Sequence, residues 1–287
     1  MILINIKTPD AVTPCPAERP AGLSEMGYLD MTQHQYAQTE LVAERPLAIS
    51  YNGPAHAVMM VTPQDLEDFL FGFSLSEGLI EQAEELRDWQ IEATSQPQSP
   101  GLAALSADIQ LSPRRFAQFK QGRQQRRGAT GCGLCGVESL NEALPSLPVL
   151  PPSPVPPAAQ LLVLREQLPR WQQLGAQAGA LHAALLLSPT GEPLICREDI
   201  GRHNALDKLI GHSLRTGRSL QGHAVLMSSR CSTELIQKAV RAELSTLIHL
   251  ASPSDLAVQL AHQHGLNLIH LPRHSGPRLY AGIQETL

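Results

Sequence analysis

Seven of the thirteen residues from Pro145 to Pro157 are prolines. A proline fixes φ and has no backbone N–H to give, so neither a helix nor an interior strand runs through such a segment. It reads as an extended spacer, residues 145–158, that divides the chain into 28–144 before it and 159–287 after it. Residues 1–27 carry Pro, Ala and Glu without a helical or strand period and read as a flexible N-terminal extension.

Before the spacer, Leu41 to Tyr51 suggests two short strands, and Asn52-Gly53 is a tight-turn signal ahead of a strand at His56 to Met60. A small antiparallel sheet is expected. Thr62-Pro63 reads as an N-cap with proline at the first helical position, and Leu66, Phe69, Leu70 and Phe73 then fall on one helix face that packs on the sheet. Trp89 to Ala93 and Ala107 to Leu111 read as further strands, and a basic helix starts at Pro113. Beyond the spacer the pattern becomes alternating. A helix at Ala159 to Gln173 is followed by apolar strands at Ala183 to Leu187, Leu194 to Cys196, Ala224 to Met227, Thr246 to Leu250 and Asn267 to His270, with helices from His203, Ser232 and Ser254 between them. Such alternation implies an α/β fold, a layered sheet covered on both faces, joined to a smaller α+β N-terminal unit.

Bulk properties exclude several classes of function. The hydrophobic share of 43% fills a core, while a formal net charge of -5 supplies no global basic field for a nucleic acid polymer. No stretch approaches the roughly 20 apolar residues of a membrane span. Five cysteines, with one closely spaced pair among them, do not form the framework of a small secreted domain, so reduced thiols in a cytoplasm are expected.

That pair, Cys132 and Cys135, lies in Gly131-Cys132-Gly133-Leu134-Cys135-Gly136. A Cys-x-x-Cys loop can contribute half of a zinc site, act as a redox dithiol, or present one nucleophilic thiolate beside a second thiol. A zinc site would have to recruit distant cysteines or histidines, so no intrinsic metal is predicted. The glycines leave little side-chain mass with which to bury the pair. Arg114, Arg115, Lys120, Arg123, Arg126 and Arg127 precede it, and cations near a thiol stabilise the thiolate.

A second constellation, Asp199-Ile200-Gly201-Arg202-His203-Asn204-Ala205-Leu206-Asp207-Lys208, reads as a strand end, a glycine turn and a helix start. Arg202, His203 and Asn204 then stand at a helix N-terminus, which favours anions; alternatively Asp199 caps the helix and pairs with Arg202. Ser229 and Arg230 follow another strand, and Ser232 and Ser254 read as caps. Ligands of open α/β sheets sit at the carboxyl ends of strands, so these corners can form one extended anion pocket. His182, His212, His223, His249, His262 and His264 show no ligand spacing and read as surface or packing residues.

Taken together, these residues resemble the formate dehydrogenase accessory sulfurtransferase family, FdhD. The similarity runs from about Leu47 to Tyr280 and includes Asn52-Gly53, Thr62-Pro63, Gly72-Phe73, Ser76-Glu77-Gly78, the Cys132-Gly133-Leu134-Cys135-Gly136 loop, Asp199 to Lys208, and Ser252-Pro253. The resemblance implies a sulfurtransferase: Cys132 takes sulfur from a cysteine desulfurase as a persulfide, with Cys135 as second thiol. It passes the sulfur to a molybdenum or tungsten bis(pterin guanine dinucleotide), bound as a substrate cofactor and destined for the formate dehydrogenase apoenzyme. It further implies a homodimer, a cytidine-deaminase-like C-terminal domain, and cofactor contacts from Leu271, Pro272, Arg273, His274, Ser275 and Gly276 besides Arg202, His203, Asn204, Ser229 and Arg230. Where the family tends to show a Gly-Phe-x-Arg-Gly-Gly type segment, this chain has His270-Leu271-Pro272-Arg273-His274-Ser275. Deaminase zinc chemistry is not implied, because no histidine here has Glu two residues later. The alternative is a noncatalytic chaperone that binds the cofactor for formate dehydrogenase maturation.

Overall fold

The computed structural model describes residues 20–95, 101–125 and 144–282. The chain opens with an antiparallel hairpin of β1 (Leu23–Asp30) and β2 (Gln35–Val42), closed by Asp30 Oδ1, which accepts from Thr32 N at 2.8 Å and Gln33 N at 2.9 Å. The irregular extension expected through residue 27 therefore ends sooner. The strand escapes a period-two reading because Met26, Tyr28, Leu29 and Tyr36 are all exposed, so neither face of the hairpin is marked by burial.

Next come β3 (Arg45–Tyr51), β4 (Ala55–Val61), α1 (Leu66–Ser76), β5 (Leu86–Ser95), β6 (Ala103–Leu111) and α2 (Pro113–Gln125). The four strands form a sheet in the order β4-β3-β6-β5. Asn52 at φ 50° and Gly53 at φ 98° both take the left-handed conformation that a two-residue hairpin turn needs between β3 and β4. The antiparallel pairing expected around Asn52-Gly53 is that of β3 with β4, and β6, for which no partner was expected, joins β3 in parallel after the chain crosses over through α1.

Leu47, Ile49 and Tyr51 of β3, Ile109 of β6, and Phe69, Leu70 and Phe73 of α1 are buried in a single cluster. The other side of α1 meets α5 (Arg202–Arg215) at a pair of glycines. A Cβ on Gly72 would lie 1.7 Å from the Asp207 carbonyl oxygen, and one on Gly211 would lie 1.8 Å from that of Asp68. The two backbones touch there, so α1 is covered on both sides.

In the second half, α3 (Ala158–Trp171) and the short α4 (Gly175–Ala178) precede β7 (His182–Leu187) and β8 (Pro193–Asp199). After α5 come β9 (Ala224–Met227), α6 (Thr233–Arg241), β10 (Thr246–His249), α7 (Asp255–His264), β11 (Asn267–His270) and β12 (Arg278–Ala281). The six strands lie in the order β12-β11-β10-β9-β7-β8, with β9, β10 and β11 mutually parallel. Strand alternation splits their side chains between two cores. Ala184, Leu186, Val225 and Leu247 join Leu206, Leu209, Leu235, Ile236 and Ala261 of the helices, in the same cluster as α1. Ala183, Leu185, Leu187, Leu226 and Ile248 pack on Leu161, Leu164 and Leu168 of α3.

Residues 144–157 carry no helix or strand. They nevertheless lie on the second half: Leu150 is buried, its N–H donates to the His264 carbonyl at 2.8 Å, and Asn267 Nδ2 donates to the Ser153 carbonyl at 3.0 Å. Among the described residues no helix is long and apolar enough to cross a membrane.

Candidate functional site

The parallel run of β9, β10 and β11 brings Met227, His249 and His270 to one edge in register. β7 starts and β8 ends at that same edge, since His182 faces Asp199 and Ala184 faces Met227 across the ladders. Helices α5, α6 and α7 begin within six residues of the ends of β8, β9 and β10, which turns their N-termini toward this edge. Topology alone therefore gathers Arg202, His203, Asn204, Ser229, Arg230 and the Leu271–Gly276 segment.

Within that group, the Asp199–Lys208 run divides into a buried brace and two residues outside it, Arg202 and His203. Asp199 and Lys208 are fully buried and form an ion pair at 2.7 Å. Asp199 also accepts from Thr62 N at 3.0 Å, Gly201 N at 2.8 Å and Asn204 Nδ2 at 2.9 Å. Lys208 Nζ donates further to the carbonyls of Thr62 at 2.9 Å and Glu198 at 3.0 Å. Asn204 Nδ2 reaches the Met60 carbonyl at 2.8 Å as well, so its side chain is occupied in holding the two halves together. Asp207 continues the brace by accepting from Lys238 Nζ at 2.7 Å and from Ser76 Oγ at 2.6 Å.

Two expectations are corrected here. Asp199 pairs with Lys208, one helical turn and a half into α5, rather than with Arg202. Thr62 does not cap α1, which starts at Leu66 behind an Asp65 at φ 53°; the Thr62 peptide and hydroxyl instead serve Asp199, Lys208 and Ile200.

Arg202 and His203 take no part in that brace. His203 Nε2 lies 3.4 Å from Ser232 Oγ and 3.9 Å from Glu234 Oε2, at the start of α6. Burial, reinforced by Arg202 and Lys238, holds the His203 pKa down to about 4, so at neutral pH the ring contributes hydrogen bonding and not positive charge. Burial and Arg202 likewise lower His182. The cationic members of the edge are therefore the arginines.

Ser229 is buried, with its hydroxyl donating to the Arg230 carbonyl at 3.0 Å, while Arg230 itself is exposed. Ser232 caps α6 without a side-chain hydrogen bond, whereas Ser254 does accept from Ala257 N in α7. Leu271 belongs to the α3 core, its N–H donating to the His249 carbonyl at 2.8 Å and its carbonyl accepting from Arg165. Its side chain is thus committed to packing. Pro272 is half-buried, and Arg273, His274, Ser275 and Gly276 are exposed, with Ser275 Oγ accepting from Arg278 at 3.2 Å. His249, read from the sequence as a surface or packing residue, sits fully buried at the edge. Strand register places it beside His270 and Met227.

Cys132 and Cys135 lie outside the described residues, as do Arg126 and Arg127. Of the cations before them, Arg115 is buried and tied to Glu81 at 2.6 Å and Glu85 at 2.7 Å, so it is not free to stabilise a thiolate. Lys120 sits over the Phe116 ring at 4.8 Å, and Arg114 is exposed. The described cysteines are chemically quiet: burial pushes the Cys196 thiol up to about 12 and raises that of Cys231. Among the described residues no group of three or more His, Cys, Asp or Glu is placed to hold a metal ion.

The chain is similar to known proteins along most of its length. Residues 42–287 match the sequence profile of the FdhD/NarQ family. It is 40% identical over 236 residues to the sulfur carrier protein FdhD of Xanthomonas euvesicatoria pv. vesicatoria, covering 82% of each chain. Identity to the sulfur carrier protein FdhD of Xanthomonas oryzae pv. oryzae is 41% over 249 residues, or 86% of each. A crystal structure from Desulfotalea psychrophila, provisionally named a formate dehydrogenase accessory protein, shares the fold with a TM-score of 0.63 at 23% identity, covering 92% of this chain and 98% of that one. The profile match and the two relatives agree: this chain belongs to the FdhD/NarQ family.

Proposed function

We propose that the chain is a sulfur carrier in formate dehydrogenase maturation, working in the cytoplasm as a homodimer with Cys132 as the carrying residue. In the loading step Cys132 thiolate attacks the outer sulfur of a cysteine desulfurase persulfide. The S–S bond of the donor breaks, the desulfurase cysteine leaves as thiolate, and Cys132 holds the sulfur as a persulfide. In delivery the outer sulfur passes to the metal of a bis(pterin guanine dinucleotide) substrate. The reduced metal supplies the electron pair for the new bond, and Cys132 departs as thiolate.

One observation carries this reading. Proteins named sulfur carrier match the chain over 82% and 86% of their length, and the sequence holds a glycine-flanked Cys-x-x-Cys of the type that thiolate chemistry uses. The sheet edge supports it: Arg202 at the start of α5, Arg230 after β9 and Arg273 after β11 offer three cations to the phosphates of a dinucleotide, in forks that suit them. The test is complementation of a strain lacking its own carrier. Wild type restores formate dehydrogenase activity, and Cys132→Ser, expressed at equal level, does not. Full restoration by Cys132→Ser refutes the carrier role and favours the chaperone.

A further inference from the structure

Leu161, Leu164 and Leu168 of α3 are buried against the sheet. Arg165 stands four residues after the first and three before the last, so helical spacing puts it on that same face. A core-facing helix position takes an apolar residue unless its side chain has another use. The use is visible here: Arg165 Nη2 donates to the Leu271 carbonyl and, at 3.2 Å, to the Leu250 carbonyl.

Those two carbonyls mark where the sheet ends. His249 and His270 are the last paired residues of β10 and β11, which makes Leu250 and Leu271 the next residues out on neighbouring strands. Their amides still follow the ladder, Leu250 N–H donating to the Met227 carbonyl at 3.1 Å and Leu271 N–H to the His249 carbonyl at 2.8 Å. Beyond them the chain leaves the sheet, once into Ala251-Ser252-Pro253 and once into Pro272 to Gly276. Elsewhere along the edge neighbouring turns are tied by the backbone or a hydroxyl. Ser228 N–H donates to the Ala183 carbonyl at 3.0 Å and Ser228 Oγ accepts from Ala183 N at 2.9 Å, while Ser254 N–H donates to the Cys231 carbonyl at 3.1 Å. Between the turns after β10 and β11 the guanidinium of Arg165 supplies the tie. Resting on the proposal that the sheet edge receives the phosphates of a dinucleotide, we propose that Arg165 is a positioning residue for that site: from the α3 face it pins the turns after β10 and β11, and so fixes where Arg273, two residues past Leu271, stands. Its charge-assisted bonds to carbonyls are stronger than neutral ones, which suits a clamp on two chain segments that leave the sheet together.

Amide hydrogen exchange and the affinity for inorganic pyrophosphate, both measured on the full chain, test this in Arg165→Met and Arg165→Lys. Methionine keeps an unbranched apolar stem and removes the donors. In that variant exchange at the Leu250 and Leu271 amides should rise at least about tenfold, the effect of losing a hydrogen bond to a charged group, with the amides of β7 unchanged. An equal rise along β7 reports general destabilisation and overturns the positioning role, as does an unaltered rate at both turns. Pyrophosphate affinity, taken by calorimetry, should fall about tenfold in Arg165→Met. Lysine keeps the charge on a shorter stem, and its two readouts should move together: where protection of the turns returns, affinity returns, and where it does not, affinity stays low. Wild-type affinity in Arg165→Lys with the turns still exchanging fast assigns Arg165 to long-range charge and overturns positioning, as does undiminished affinity in Arg165→Met. A wild-type chain that binds no pyrophosphate overturns instead the reading of the edge as a dinucleotide site, and the exchange rates alone then decide whether Arg165 pins the turns.

Discussion

Replacing Lys208 by Met removes a charge from the protein interior while keeping most of the side-chain volume. Three contacts go with it, to Asp199 at 2.7 Å and to the carbonyls of Thr62 at 2.9 Å and Glu198 at 3.0 Å. Removing one partner of a buried ion pair costs about 3–5 kcal/mol, since the remaining charge stays out of water uncompensated. Asp199 would retain three N–H donors, from Thr62, Gly201 and Asn204. Those donors place the expected loss at the lower end, about 3 kcal/mol. Urea unfolding, read as a drop in midpoint with the slope unchanged, measures it. The double variant Asp199→Asn with Lys208→Met should lose less than the sum of the single losses, because the carboxylate left stranded in one is absent in the other. A Lys208→Met protein as stable as wild type to within about 1 kcal/mol, yet unable to load sulfur, would refute the brace and move Lys208 into the chemistry.

Further outcomes follow from the same structure. Gly72→Ala should destabilise by about 3 kcal/mol or more, because its Cβ meets the α5 backbone, whereas Gly27→Ala, with its nearest neighbour at 3.9 Å, should stay within about 0.5 kcal/mol of wild type in the same melts. Native protein treated with iodoacetamide near neutral pH should carry no label on Cys196 or Cys231, whose thiols burial keeps protonated, and peptide mapping should find both labelled only after unfolding. Stability should fall on acidification. His249 titrates at about 4 in the folded chain against an ordinary value of 6.5, so the unfolded chain binds the extra proton throughout that window. The contribution is complete above pH 6.5 and is lost as pH falls to about 4, an effect on the order of 3 kcal/mol that His249→Phe should remove from a pH series of denaturation midpoints.

Much of the α/β half was legible because its strands are short apolar runs, and a run buried on both faces needs no partner to be recognised. The opposite holds for β1, where solvent on both faces of the hairpin erases the period that would have marked it. The parallel pairing of β3 with β6 was hidden for a different reason: strand order depends on the crossover through α1, which the local pattern of each strand does not record. At the site, the Arg202-His203-Asn204 corner was readable as an anion-compatible helix start. Its division of labour was not, since Asn204, Asp207 and Lys208 find their partners in Met60, Ser76, Thr62, Asp199 and Lys238 only after folding. His249, read as a surface or packing residue, is buried beside His270, a neighbour that strand register alone supplies.

The central claim is that a single sulfur atom rides on Cys132. Incubating the purified chain with a cysteine desulfurase and cysteine, then weighing the intact protein without reductant, tests it directly. Wild type should gain the mass of one sulfur atom, released again by a thiol reductant, and Cys132→Ala should gain none. Equal loading of Cys132→Ala, or an unaltered wild-type mass beside an active desulfurase, would contradict it.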